Sequence, residues 1–435
     1  MTTCNSNYFS TSHKTDLAKE RWNQIEKSQQ YRNEFAKDRD RILYSKSFLR
    51  MRDKTQVFMM ENIDYIRTRL THTLEVSQIA RTISSALGFN VDLTEAIALG
   101  HDVGHTPFGH VGERTLDLFT SGELSFMKKE NSKNPVKDKN KGFKHNLQSA
   151  RVLCDLEPGT DGNGLNLTKF TLWGIIHHSK IKSSDKDYPF YKHYVEKLEN
   201  YWSFEGYVVA IADEIAQRHH DIEDSLRYNI LSTQELIRSL DGFTLYGINK
   251  KNYNSLTKAK EGDLSQFISL FSRFIVNMYV TDLISNSKEN LRQICKKYSI
   301  SCSNDFYRER DSINTTDRET AISLSNDLSD FDKKFQKLLK NSVINSYAAQ
   351  ALDGKGDYIV QKLLQAYYFN PNQMQDSAVK QLFKLSGKEY NRAIISEIIE
   401  EDEDNTFIRV IADYVAGMTD SFAYEQFDLL YGTRR

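Results

Sequence analysis

The sequence predicts an all-α protein, and three observations carry that prediction. Only five prolines are spread over 435 residues, so long stretches can form helix without losing a backbone donor. Apolar residues recur at helical spacing in several segments, and β-type residues cluster at only one place.

The clearest helical stripe is Val76, Ile79, Ala80, Ile83 and Leu87, with Gly88 standing where a glycine would end the helix. Asp92 and Glu95 have the spacing of a capping box ahead of the apolar run from Ala96 to Leu99, which predicts a second, short helix ending near His101. The exception is 55–69, where Thr55 to Phe58 and Tyr65 to Thr68 flank the polar Glu61 and Asn62; that pattern predicts a small β-hairpin near residues 55–70. Residues 128–144 hold seven lysines and two acids without an apolar period, and predict a surface loop. Helical periodicity returns around 265–300, 320–350, 357–369 and 390–430, and the acidic stretch from Glu397 to Asp404 marks a helix end and turn. No internal repeat or low-complexity linker divides the chain.

Composition narrows the function classes. Hydrophobic residues at 39% and charged residues at 27% suit a globular protein. A net charge of -1 gives the whole molecule no strong pull on a polyanion, so any attraction to a nucleotide must come from local patches. No run approaches the roughly 18 to 20 apolar residues that span a bilayer, and the N-terminus lacks an apolar segment behind a basic start, so a cytoplasmic protein without a membrane partner is expected. Cys4, Cys154, Cys295 and Cys302 are scattered and form no CxxC pair, which predicts free thiols and no zinc-cysteine site.

Chemistry concentrates in His72 of RTRLTH, the pair His101 and Asp102 of LGHDVGHTPFGH, and Asp213 of VVAIADEIAQRHHDIED. Two imidazoles and two carboxylates suit a divalent ion such as Mn, Fe, Zn or Mg. On the helix expected around Asp213, His220 and Asp224 return to within roughly 20° of its face at about 100° per residue, whereas Asp221 lies about 80° away. A polar stripe on so apolar a helix needs a metal or a counter-charge. A lone His-Asp dipeptide is common by chance; the order and context of the four residues give it weight.

Histidine, then His-Asp, then Asp, all in helical sequence, resembles the HD superfamily of metal-dependent phosphohydrolases. KTQVF at 54–58, RTRLTHTLEV at 67–76, ALGHDVGHTPFGHVGE at 98–113, GFKHNLQSARVL at 142–153 and DYVAGMTDSFA at 413–423 narrow it to the dGTP triphosphohydrolase (dNTPase) family. DRDRILYSKSFLRM at 38–51 is similar to that family's lead-in. The resemblance implies a helical lead-in over 1–50, an HD catalytic core over 51–230, and a helical region over 231–435 that completes the core and carries the oligomer surface.

It also implies roles. His72, His101, Asp102 and Asp213 would hold the metal, and His105, His110, Glu113 and His145 would form the acid-base machinery, with Glu113 close enough to His110 on one helical turn to orient its ring. Lys141 and Lys144 would draw anions towards His145. Gln56 and Arg69 match positions lining the substrate pocket, and Asp221 matches one that accepts a hydrogen bond from the sugar 3'-OH. Tyr414 and Asp420 would shape the pocket or the helical floor beneath it, or, the favoured reading, simply pack the core. After Asp213 the family often has a second Asp and then a Tyr; this chain has Glu214 and Gln217.

The expected reaction is hydrolysis of dNTPs, dGTP preferred, to deoxynucleoside and inorganic triphosphate. The resemblance implies a homo-oligomer, a tetramer or hexamer, and admits an allosteric nucleotide and single-stranded DNA as further partners. Two rivals stand beside this reading. One is another HD hydrolase, of phosphodiesterase or guanosine-tetraphosphate hydrolase type; the other is a catalytically idle regulatory or single-stranded nucleic-acid-binding protein.

Overall fold

The computed structural model describes the chain outside residues 1–4, 13, 28, 56–66, 128–135, 160–163, 180–187, 241–255, 257–262, 344, 403–404 and 433–435. The main helices of the described residues are α1 (Glu34–Leu43), α2 (Arg69–Leu87), α3 (Val91–Gly100), α4 (His110–Thr120), α5 (His145–Arg151), α6 (Lys169–His177) and α7 (Phe204–Arg227). They continue as α8 (Leu264–Lys297), α9 (Asn326–Val343), α10 (Tyr347–Phe369), α11 (Asp376–Leu385), α12 (Thr406–Ala416) and α13 (Asp420–Tyr431). The fold is all-α: β-structure among the described residues is limited to isolated antiparallel bridges, Arg21 with Thr168 and Thr55 with Thr68. The expected hairpin falls mostly on 56–66, outside the described residues, and its two flanks form the second of those bridges.

Local chemistry explains the helix ends. Thr68 accepts a hydrogen bond from the Thr71 amide and Thr71 caps back, so α2 begins with a capping box; it ends at Gly88, whose φ of 75° needs a residue without Cβ. The start of α3 departs from expectation. Asn90, not Asp92, is the cap, its side chain accepting from the Leu93 amide. Asp92 and Glu95 are already inside the helix, where both face Arg39 of α1 at 3.3 Å. Ser203 caps α7, and the 24 residues that follow contain no proline and only one early glycine.

Two large apolar cores result among the described residues. The first gathers Val76, Ile79 and Ile83 of α2, Leu93 and Ile97 of α3, Val208, Ala212 and Ile215 of α7, and Phe267, Phe271 and Ile275 of α8. Burying each such aliphatic side chain contributes about 1.5–3 kcal/mol, so the core locks α2, α3 and α7 in fixed register. α8 is long and apolar enough to cross a membrane, contrary to the expectation that no run would be; its apolar face is instead partly spent on this core. The second core joins Leu116 and Phe119 of α4 to Val360, Leu363 and Tyr367 of α10 and to Val410, Ile411 and Val415 of α12. Helix α4 thus roots in the second core while its first turn points at the seam between the two.

A buried ion pair ties the cores together. Arg151, at the end of α5, donates to both carboxylate oxygens of Asp413 on α12 at 2.6 to 2.9 Å, and Gln148 adds a bond at 2.9 Å. Removing one partner strands a buried charge, so Asp413→Ala is expected to lower the unfolding free energy by about 3–5 kcal/mol, read from denaturant titration. Cys154 and Cys302 carry free thiols, but Cys295 is disulfide-bonded, which corrects the expectation of free thiols throughout. Separation along a chain does not fix separation in space.

Candidate active site

The packing of α2, α3 and α7 brings His72, His101, Asp102 and Asp213 to one point. His72 lies near the N-terminus of α2, His101 and Asp102 follow directly on α3, and Asp213 projects from the middle of α7. His72 Nε2 is 2.9 Å from Asp213 Oδ1, and His101 Nε2 is 3.8 Å from that oxygen and 3.7 Å from Asp102 Oδ1.

The protonation pattern tests whether a cation fits. His101 directs Nδ1 at the Ala98 carbonyl at 2.7 Å, so its proton belongs there and Nε2 presents a lone pair. That nitrogen is fully buried and has no hydrogen-bond partner among the described residues. A lone pair facing two carboxylates is unfavourable by itself, and a divalent ion among these donors removes the conflict. Burial would raise the Asp102 carboxyl, but the Arg69 guanidinium beside it brings it well below its ordinary range; the hydrogen bond with His72 does the same for Asp213. Both are therefore ready as anionic ligands. Arg69 donates to Asp102 Oδ2 at 2.7 Å, so its guanidinium fixes this carboxylate from behind.

Around the quartet lies a shell of imidazoles. His105 stacks on His145 at 4.4 Å between ring centroids, and His110 sits 5.5 Å from His105. The expected partnership of Glu113 with His110 is replaced by another. Glu113 accepts from the ring Nδ1 and the backbone amide of His145 and from Lys144 Nζ. Spacing of three on α4 allowed the first pairing, but the N-terminus of α5 offers Glu113 an unpaired amide as well as a ring, and charge from Lys144. Burial opposes ionisation of Glu113, yet His145 and Lys144 hold its carboxyl far below the usual range. Burial pushes His105 well below the ordinary imidazole value, and it pushes His110 down to about 4, helped by the charge of His145.

His178, at the end of α6, belongs to this shell and was not singled out by the sequence. Its ring is 4.9 Å from that of His101 and 5.5 Å from that of His145, and burial lowers its pKa to about 3. Only the His177-His178 doublet marks it in the sequence, and which of the two points inward depends on the phase of α6.

The shell opens on a cavity of about 710 Å³ lined by His110, Arg114, Gln217, Arg218 and Asp221. That volume lies within the usual range for small-ligand sites. Glu214 and Gln217, where the family often differs, both face it. The opposite wall comes from α9, whose Lys333, Lys337 and Lys340 recur at helical spacing and were invisible as a group in sequence. Burial raises the Asp221 carboxyl to about 7. Gln56 lies outside the described residues. Asp420 accepts from Thr55 and from the amide of Phe108, whose φ is 57°; next to it Gly109 has φ 63° and ψ -135°, a conformation that needs glycine. Asp420 thereby supports the loop that presents His110, while Tyr414 packs on Tyr367 at 5.3 Å within the second core.

Comparison with known proteins agrees with this geometry. Residues 69–218 match the HD domain and 322–428 the phosphohydrolase-associated domain. The chain is 36% identical over 415 residues to a deoxyguanosinetriphosphate triphosphohydrolase-like protein of Bartonella quintana, covering 92% of this chain and 90% of that one. Proteins of the same description from Rickettsia felis and Clostridium perfringens are 33% and 32% identical, covering 92% and 94% of this chain and 92% and 89% of theirs. With its quartet of donors inside the matched HD domain, this chain belongs to the deoxyguanosinetriphosphate triphosphohydrolase-like family of metal-dependent HD-domain phosphohydrolases.

Proposed function

We propose that the protein hydrolyses deoxynucleoside triphosphates, dGTP first, to deoxynucleoside and inorganic triphosphate. The observation that carries this is the partnerless Nε2 of His101 among two carboxylates and a second imidazole, beside a cavity walled by cations. A divalent ion held by His72, His101, Asp102 and Asp213 would polarise a phosphoryl oxygen and lower the pKa of water. Water adds to the α-phosphorus, the bond from phosphorus to the 5' oxygen breaks, and one proton passes to that oxygen.

The remaining residues position charge and protons. Arg69 keeps Asp102 turned towards the donors. Glu113 holds the Nδ1 proton of His145, so that His145 Nε2 is the ring atom free to meet the phosphates or exchange a proton. Burial keeps His105 and His110 neutral near pH 7, and an incoming polyanion raises their proton affinity. Arg114 and the three lysines of α9 supply positive charge for the triphosphate that Glu214 and Gln217 cannot, while Arg218 is held by Asp332 at 3.0 Å. Gln56 is assigned to the nucleoside end.

Asp221 is assigned to the sugar 3'-OH, whose hydrogen bond it accepts more strongly as a carboxylate than as the neutral acid. Its raised pKa means the anionic form appears as pH rises through about 7. The KM for dGTP is therefore expected to fall between pH 6 and 8, while that for a 3'-deoxy analogue stays flat; Asp221→Asn removes the difference.

Product analysis tests the reaction itself. With Mn²⁺ and dGTP, deoxyguanosine and triphosphate are expected on anion exchange. Deoxyguanosine monophosphate with pyrophosphate would reject the proposal.

A further inference from the structure

A second cluster of ligand-type side chains lies on the far side of α2 and α7 from the substrate cavity. His219 and His220 are adjacent on α7, and Glu75 on α2 inserts its carboxylate between them: one oxygen meets His219 Nδ1 and the other lies 2.6 Å from His220 Nε2. One donor atom from each of the three lies within 4.8 Å of the others. The cluster borders a separate cavity of about 570 Å³ between α2, α7 and α8, lined also by Glu223, Ser272 and Asn277.

We propose that Glu75, His219 and His220 form a second divalent-metal site, sharing no ligand with the catalytic quartet, which clamps α2 to α7. Three features of the arrangement suit a metal. Two imidazole nitrogens and a carboxylate oxygen select a borderline transition ion such as Zn²⁺ or Co²⁺ over Mg²⁺ or Ca²⁺, which need mostly oxygen. Behind His219, Glu223 lies 3.5 Å from Nε2, and Arg67 in turn fixes Glu223. The His219 ring thus bridges two carboxylates; an ion entering between His219 and Glu75 takes the place of the Nδ1 proton, and Glu223 then holds the remaining proton on Nε2, the carboxylate-to-imidazole relay that orients metal-bound histidines. The adjoining cavity gives an ion access and leaves room for water in the positions the protein does not fill. The ring of His220 also packs on that of His72 at 5.0 Å, so the clamp joins the two helices that deliver His72 and Asp213.

Metal counting on the full chain tests the site. Protein stripped with chelator is titrated with Zn²⁺, freed of excess by gel filtration and analysed for bound metal. Two ions per wild-type chain are expected, one in Glu75→Gln, one in His219→Ala, one in Asp102→Ala, and none in the Asp102→Ala, His219→Ala double variant. Zn²⁺ should also raise the melting temperature of Asp102→Ala and leave that of the double variant unchanged. If Glu75→Gln and His219→Ala, folded by circular dichroism, bind as many ions as wild type, the proposal is overturned. An Asp102→Ala chain that loses no ion would count against the catalytic quartet alone, because the His219-dependent ion is read separately.

Discussion

Asp102→Ala is expected to remove the catalytic ion and to lower kcat/KM for dGTP by on the order of 10³-fold or more, since the ion supplies several kcal/mol of charge stabilisation at about 1.4 kcal/mol per tenfold. Two effects combine in this change. It deletes an anionic donor facing His101, and it leaves the buried Arg69 guanidinium without its carboxylate. Arg69 would then lend positive charge to the space an ion should enter. Asp102→Asn keeps the shape but not the charge, and its affinity for Mn²⁺ should fall almost as far. Bound metal by elemental analysis and initial rates under saturating Mn²⁺ read both effects; activity within tenfold of wild type in Asp102→Ala would remove Asp102 from the ligand set.

The second large effect is assigned to Glu113. Glu113→Gln retains a hydrogen-bond acceptor for His145 but removes the charge that holds its ring and balances Lys144. A fall in kcat of about 10²- to 10³-fold is expected, with a smaller change in KM, as for loss of positioned acid-base help. His145→Ala should cost about the same, and the double variant little more than either, because the two act as one unit. Additive losses would show separate roles. A full effect of Glu113→Gln in a chain already lacking His110, with none in one lacking His145, would locate the partnership where the hydrogen bonds place it.

That pairing illustrates what the sequence could and could not express. Helical periodicity is local, so α2, its glycine end and the later helices were legible from spacing alone. The four members of the quartet could be picked out as candidates too, because ordered motifs surround each, and the structure brings their side chains together. Partnerships across elements were not. The interval of three between His110 and Glu113 is compatible with a contact that α5 outcompetes by offering an amide and an imidazole together. His178 carries no motif of its own, and becomes part of the shell only when α6 packs beside α3 and α5. The α9 lysines face the cavity although more than a hundred residues separate them from His110 and Asp221, and their spacing alone resembles any solvated helical face. The cap of α3 slipped by two residues because Asn90 and Asp92 are both good caps; Arg39 gives Asp92 a different task.

Crystals grown with Mn²⁺ and examined by anomalous diffraction address the central claim most directly. The account predicts a peak coordinated jointly by His72 Nε2, His101 Nε2, Asp102 and Asp213, at distances of about 2.0–2.3 Å as expected for nitrogen and oxygen donors to such an ion. Well-ordered side chains with no peak between them, or an ion bound without His101, would contradict it.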